Sequence, residues 1–124
     1  MNSKVFLGVR ILLGLMVLVF GLNKFLQFLP AFEVGEEAQS YFGALMSSQT
    51  MTMVAIVEIA AGLALILNKY GALMSVILMS VSVNAVLFHA TLAPEGIAPA
   101  LGLLVLNILA LVGYKDSYSG MLSA

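Results

Sequence analysis

Apolar residues run almost unbroken through four stretches of this chain, at residues 5–22, 51–67, 72–90 and 97–113. As helices, each is long enough to cross roughly 30 Å of hydrocarbon. The runs are continuous rather than alternating, which excludes the two-residue pattern of a membrane β-barrel. The last run begins beside Pro94 and Pro99, and a proline suits the first helical turn because its missing N–H would be an orphan there anyway. Asn68-Lys69-Tyr70-Gly71 leaves room only for a tight turn, so the second and third spans are expected to be antiparallel neighbours. The pattern predicts an all-α, integral membrane four-helix bundle, with one transmembrane domain over residues 1–124.

The connection at residues 24–50 breaks this regularity. It is too long for a hairpin loop and too aromatic for a disordered linker. Phe25, Phe28 and Phe32 recur at helical spacing, and Pro30 and Gly35 then punctuate the chain. From Glu36 a short amphipathic helix is predicted, with Ala38, Tyr41, Phe42, Leu45 and Met46 forming one apolar stripe. Such a segment lies in the membrane interface as a spacer or folds over the bundle as a lid.

Composition agrees with the membrane reading. The chain is 62% hydrophobic and 9% charged, with a mean hydropathy of +1.12, whereas soluble domains carry about 25% charged residues. A net charge of -1 and the lack of any basic patch argue against a nucleic-acid partner. With no cysteine there is neither a disulfide nor a thiolate site. The first apolar run follows Lys4 as in a signal peptide, but Arg10 interrupts it and no A-x-A cleavage pattern follows, so it reads as a retained span. Lys4, Lys69 and Lys115 fall on one side, and Glu33, Glu36, Glu37 and Glu95 on the other. By the excess of cations on cytoplasmic loops, both termini are expected in the cytoplasm. Tyr70, Tyr114 and Tyr118 fit an aromatic belt on that side.

Against this apolar background a few polar residues stand out. Glu58 sits mid-span in MTMVAIVEIAAGLALIL, where a charge costs about 2.5–3.5 kcal/mol to insert. Ala55, Ala61 and Gly62 share its face, so it should face protein. In the first span Arg10, Gly14, Val17, Gly21 and Lys24 follow steps of four, three, four and three, which is one helical stripe. Its two glycines admit a close neighbour. Arg10 and Lys24 are separated by roughly 21 Å along the helix at 1.5 Å per residue. Asn23 adds a second polar group beside Lys24. A Lys24–Glu58 ion pair is the simplest stabilising arrangement, whereas Arg10 reads equally as an interfacial anchor.

The third span adds Asn84, level with Glu58, and His89, the one histidine. Five residues turn a helix by about 140°, so these two point to different centres. Ser75 and Ser82 share the His89 stripe and Ser80 that of Asn84; one stripe is expected to face the interior and the other a second subunit. Small-residue faces leave room for a homodimer. Asn107, central in the last span, is expected to hydrogen-bond across helices. One histidine and one buried carboxylate do not make the usual three metal ligands, and no nucleotide-binding or zinc-hydrolase motif occurs.

Arg10 in the first span, GLNKF at its end, VEIAAGLAL around Glu58, the NKYG turn and NAVLFHATLAP with His89 occur in an order and spacing that resemble the DoxX family of small bacterial four-helix membrane proteins. The likeness covers nearly the whole chain. It implies residence in the bacterial inner membrane and a role as a subunit of membrane oxidoreductase assemblies, including thiosulfate–quinone oxidoreductases, with a quinone as ligand and an oxidoreductase subunit or membrane lipid as partner. In that setting Lys24, Asn84 and His89 would donate to quinone carbonyls, Glu58 would relay protons, and Phe25 or Phe28 would stack. Two other classes stay open on the residues alone. A small proton-coupled transporter would use Glu58 as its carrier, and an assembly module would use the polar groups only to hold helices together.

Overall fold

The computed structural model describes residues 2–26 and 35–122. Six helices follow in order: α1 (Ser3–Leu26), α2 (Glu36–Ser47), α3 (Thr50–Leu67), α4 (Gly71–Thr91), α5 (Ile97–Gly113) and the short α6 (Ser119–Leu122). Two 3₁₀ turns, Pro94–Gly96 and Lys115–Tyr118, precede α5 and α6. Four helical segments are long and apolar enough to cross a membrane: α1, α3, α4 and Pro94–Gly113. This is the expected all-α four-helix membrane bundle, and its members run alternately up and down.

The tightest seam joins α1 to α3. A Cβ placed on Gly14 would come within 3.0 Å of the Gly62 carbonyl oxygen, and one on Gly62 within 2.8 Å of that of Gly14. One step further along, a Cβ on Gly21 would meet the Ala55 carbonyl oxygen at 3.0 Å. Only residues without a side chain let two backbones approach so closely, and in lipid this contact replaces the hydrophobic drive available in water. Val9, Leu13, Val17, Ala61, Leu65, Leu78, Leu103 and Ala110 fill the space among the four helices. Leu7, Leu12, Leu15, Ile56, Leu63 and Leu87 lie exposed on the outside, the surface that hydrocarbon would cover.

Helix ends follow local chemistry. Asn68 closes α3 in the left-handed region at φ 55°, as asparagine readily does. Tyr70 adopts φ 59° to start α4 at once, so the turn is as tight as its length required. Helix α1 continues four residues past the expected end at 22, carrying Asn23 and Lys24 on regular helix. Helix α2 begins at Glu36 as predicted and buries Ala38, with Tyr41 and Phe42 seated on Phe88 of α4. Met46 departs from the predicted stripe: it is 60% exposed, because α2 docks through its first two turns.

Candidate functional site

At the end of the bundle where α1 stops and α3 begins, Lys24 Nζ lies 2.5 Å from Glu58 Oε1. It is the one ion pair among the described residues. Glu58 is 2% exposed, and the Lys24 side chain retains 23% of its surface. The close α1–α3 seam places both partners, since Gly21 and Ala55 share a level just beneath Lys24 and just above Glu58.

Outward from the pair lies a cavity of about 250 Å³ lined by Asn23, Lys24, Phe25, Met46, Met51 and Thr52. The Lys24 ammonium is thus the floor of the cavity and the lid of Glu58 at once. Met51 precedes Glu58 by seven residues, two turns on the same face, so helical periodicity was a usable signal for it. Met46 has no such signal, since its place depends on how α2 docks. Phe25 is 52% exposed and borders the cavity. Phe28, predicted to stack beside it, lies outside the described residues.

Asn84 and His89 are not brought to this centre. Asn84 is exposed on α4, and its Nδ2 donates to the Tyr41 hydroxyl at 3.2 Å, which ties α2 to α4. His89 Nδ1 bonds the Ala93 carbonyl oxygen at 3.0 Å. A carbonyl only accepts, so Nδ1 carries the hydrogen. The ring also fills the space over Gly96, where a Cβ would strike it, and meets Phe88 edge-on at 5.0 Å. His89 therefore fastens the connection between α4 and α5.

Arg10 belongs to the other end. Its stripe is buried through Gly14, Val17 and Gly21 as expected, but the guanidinium acts on Tyr114 as a charge and a hydrogen-bond partner. Tyr114 donates to Asn68 Oδ1 at 2.7 Å, packs its ring on Phe6 at 4.9 Å and presses on Gly71. Tyr118, 9% exposed, donates to the Ala72 carbonyl oxygen at 2.7 Å. Of the three tyrosines expected in an interfacial belt, only Tyr70 is fully exposed. Tyr114 and Tyr118 turn inward, because Asn68 Oδ1 and the Ala72 carbonyl oxygen at the α3–α4 turn lie within reach of their hydroxyls. Burial raises the Tyr114 phenol above its ordinary range even though the neighbouring Arg10 charge lowers it. Midway along the bundle, Ser82 donates to Asn107 Oδ1 at 2.6 Å and Asn107 Nδ2 donates to the Ser75 carbonyl oxygen at 3.0 Å. All three are buried, and this is the expected interhelical bond of Asn107.

Chemically, the Lys24–Glu58 centre can hold a negative or carbonyl oxygen against an ammonium, with a carboxylate behind it to exchange a proton. No curated protein and no solved structure matched the chain. The family model described as DoxX matches residues 5–91, from the start of the first span to the end of α4, and so includes both members of the ion pair. On that match the four-helix membrane protein belongs to the DoxX family.

Proposed function

We propose that this protein binds a quinone, or a lipid of similar amphipathic shape, in the cavity above Lys24 and serves there as a subunit of a membrane oxidoreductase. The observation that carries this reading is the buried Lys24–Glu58 pair at the floor of an open cavity of about 250 Å³. A purely structural ion pair has no need of a cavity against its cation. A quinone head group needs donors for its carbonyls between apolar walls. Lys24, Asn23 and Thr52 carry donor groups, while Phe25, Met46 and Met51 supply the walls. Lys24 would orient the near carbonyl, and Glu58 would hold or release a proton through it. A bound quinone would supply the redox chemistry. The excess of cations at the end carrying Lys4, Lys69 and Lys115 supports an orientation in a bacterial inner membrane with that end and both termini in the cytoplasm; in it the cavity opens outward.

Small-molecule mass spectrometry on the purified full chain tests the reading. A quinone or lipid should co-purify with the parent protein, and folded Lys24→Met and Glu58→Gln variants should lose it. Retention at parental levels in both variants would mean that the ligand does not sit in this cavity. Proton release on addition of an organic cation, with no retained quinone or lipid, would favour a transporter instead.

A further inference from the structure

The opposite end of the bundle carries a second cationic centre, and no acid in the described structure is paired with it. Arg10 lies about two turns inside α1 and forms no ion pair among the described residues. Its Nη1 is buried with no hydrogen-bond partner there. Tyr114 does not neutralise it, since burial keeps that phenol protonated and its hydrogen goes to Asn68. Side chains on a helix lean toward its N-terminus, so Arg10 leans toward the near surface rather than toward Glu58. Lys4, Lys69 and Lys115 stand exposed around the same end, against the single acid Asp116. Beside them an apolar groove of about 290 Å³ runs along the start of α4, lined by Ala72, Leu73, Val76, Ser117, Tyr118 and Met121. Tyr118 borders the groove, and its ring and that of Tyr114 lie close enough to influence each other. An unpaired guanidinium, an apolar slot and a cationic rim at one end of the bundle match the parts of a phospholipid: phosphate, acyl chain and membrane surface.

We infer that this end is a binding site for one anionic glycerophospholipid, its phosphate on the Arg10 guanidinium beside Tyr114 and one acyl chain in the groove between α4 and Tyr118. Guanidinium suits the phosphate because its planar fork binds two oxygens together. The surrounding lysines favour a lipid with net negative charge over a zwitterionic one. The site is independent of the cavity above Lys24.

Native mass spectrometry of the delipidated full chain, titrated with phosphatidylglycerol, phosphatidylcholine, diacylglycerol or inorganic phosphate, tests this. The parent should take up one phosphatidylglycerol in preference to the other two lipids. Arg10→Gln should weaken that uptake about fivefold or more, Arg10→Lys should restore part of it, and Gly102→Ala, where a Cβ meets nothing within 4 Å, should leave it unchanged. Equal uptake by Arg10→Gln would overturn the inference. So would displacement of the lipid by millimolar inorganic phosphate, which would assign the centre to a soluble anion. Should Arg10→Gln not fold, the parent decides alone, because uptake of phosphatidylglycerol no better than of diacylglycerol overturns it equally.

Discussion

Lys24 and Glu58 lean toward each other along the bundle axis. Lys24 stands on α1 nearer the membrane surface and Glu58 on α3 roughly 9 Å deeper at 1.5 Å per residue, a relation fixed by the Gly21–Ala55 contact between them. Because side chains tilt toward the N-terminus of their own helix, and the two helices run antiparallel, Lys24 tilts inward and Glu58 outward. They meet at 2.5 Å. The lysine thereby forgoes the outward snorkelling usual for its type in return for a carboxylate that has no other ion-pair partner among the described residues.

Removing one partner should therefore be worse than removing both. Lys24→Met is expected to destabilise the protein by about 3 kcal/mol, the lower end for a broken buried pair because Lys24 is partly exposed. The double variant Lys24→Met/Glu58→Gln should recover most of that loss. Denaturant unfolding of all variants in one detergent checks the ordering. A double variant as unstable as Lys24→Met would show that the two side chains do not act as a pair.

The α1–α3 seam makes a sharper steric prediction. At Gly62 a Cβ would lie 2.8 Å from both the Gly14 carbonyl oxygen and Leu18 Cβ, so Gly62→Val should separate the helices and cost about 1–3 kcal/mol. Gly102→Ala is the matched control, since a Cβ there meets nothing within 4 Å. It should be neutral or stabilising by up to about 1 kcal/mol. Thermal unfolding of the two variants beside the parent separates packing from general intolerance of glycine replacement.

Much of this is legible in the sequence, and the boundary is physical. The spans, the α1 stripe and the inward Glu58 follow from periodicity within single helices, which sequence spacing records directly. The partner of Asn84 does not: rotation about α4 says which face Asn84 occupies, but not that Tyr41 of α2 covers it. Likewise Tyr114 reads as a belt residue until the α3–α4 turn brings Asn68 beneath its hydroxyl. Contacts between segments distant in sequence decide those positions, and Arg10 meets Tyr114 for the same reason.

Tyr114 gives a pH prediction with a defined sign. Burial holds its folded phenol above the ordinary value of 10.0, and Arg10 opposes that shift. A raised acid contributes stability that is fully present below the unfolded value and is lost as pH rises through the folded one. Stability should thus fall above about pH 10, and less steeply in Tyr114→Phe. Ultraviolet difference titration of the parent against Tyr114→Phe isolates this tyrosine from the other three. In Arg10→Gln its ionisation should move higher still; a shift downward would mean that Arg10 does not act on it.

Docking of α2 rests on few contacts, so its failure should be local. Phe88 stacks on Tyr41 at 5.2 Å and touches Phe42 at 4.8 Å between ring centres, while the Asn84–Tyr41 bond at 3.2 Å adds a polar tie. In Phe88→Ala both rings lose their seat, and Ala38 loses its cover. Amide hydrogen exchange should then accelerate across Glu36–Ser47 while the α1–α3 seam keeps its protection, because that seam contains neither Phe88 nor any α2 residue. Tyr41→Phe, which removes only the hydroxyl, should accelerate the same amides by less, the loss of one hydrogen bond being about 1 kcal/mol. If α2 exchanged no faster in Phe88→Ala than in the parent, its position would depend on its junction with α3 instead. Met46 and the cavity it lines would then be indifferent to the aromatic cluster.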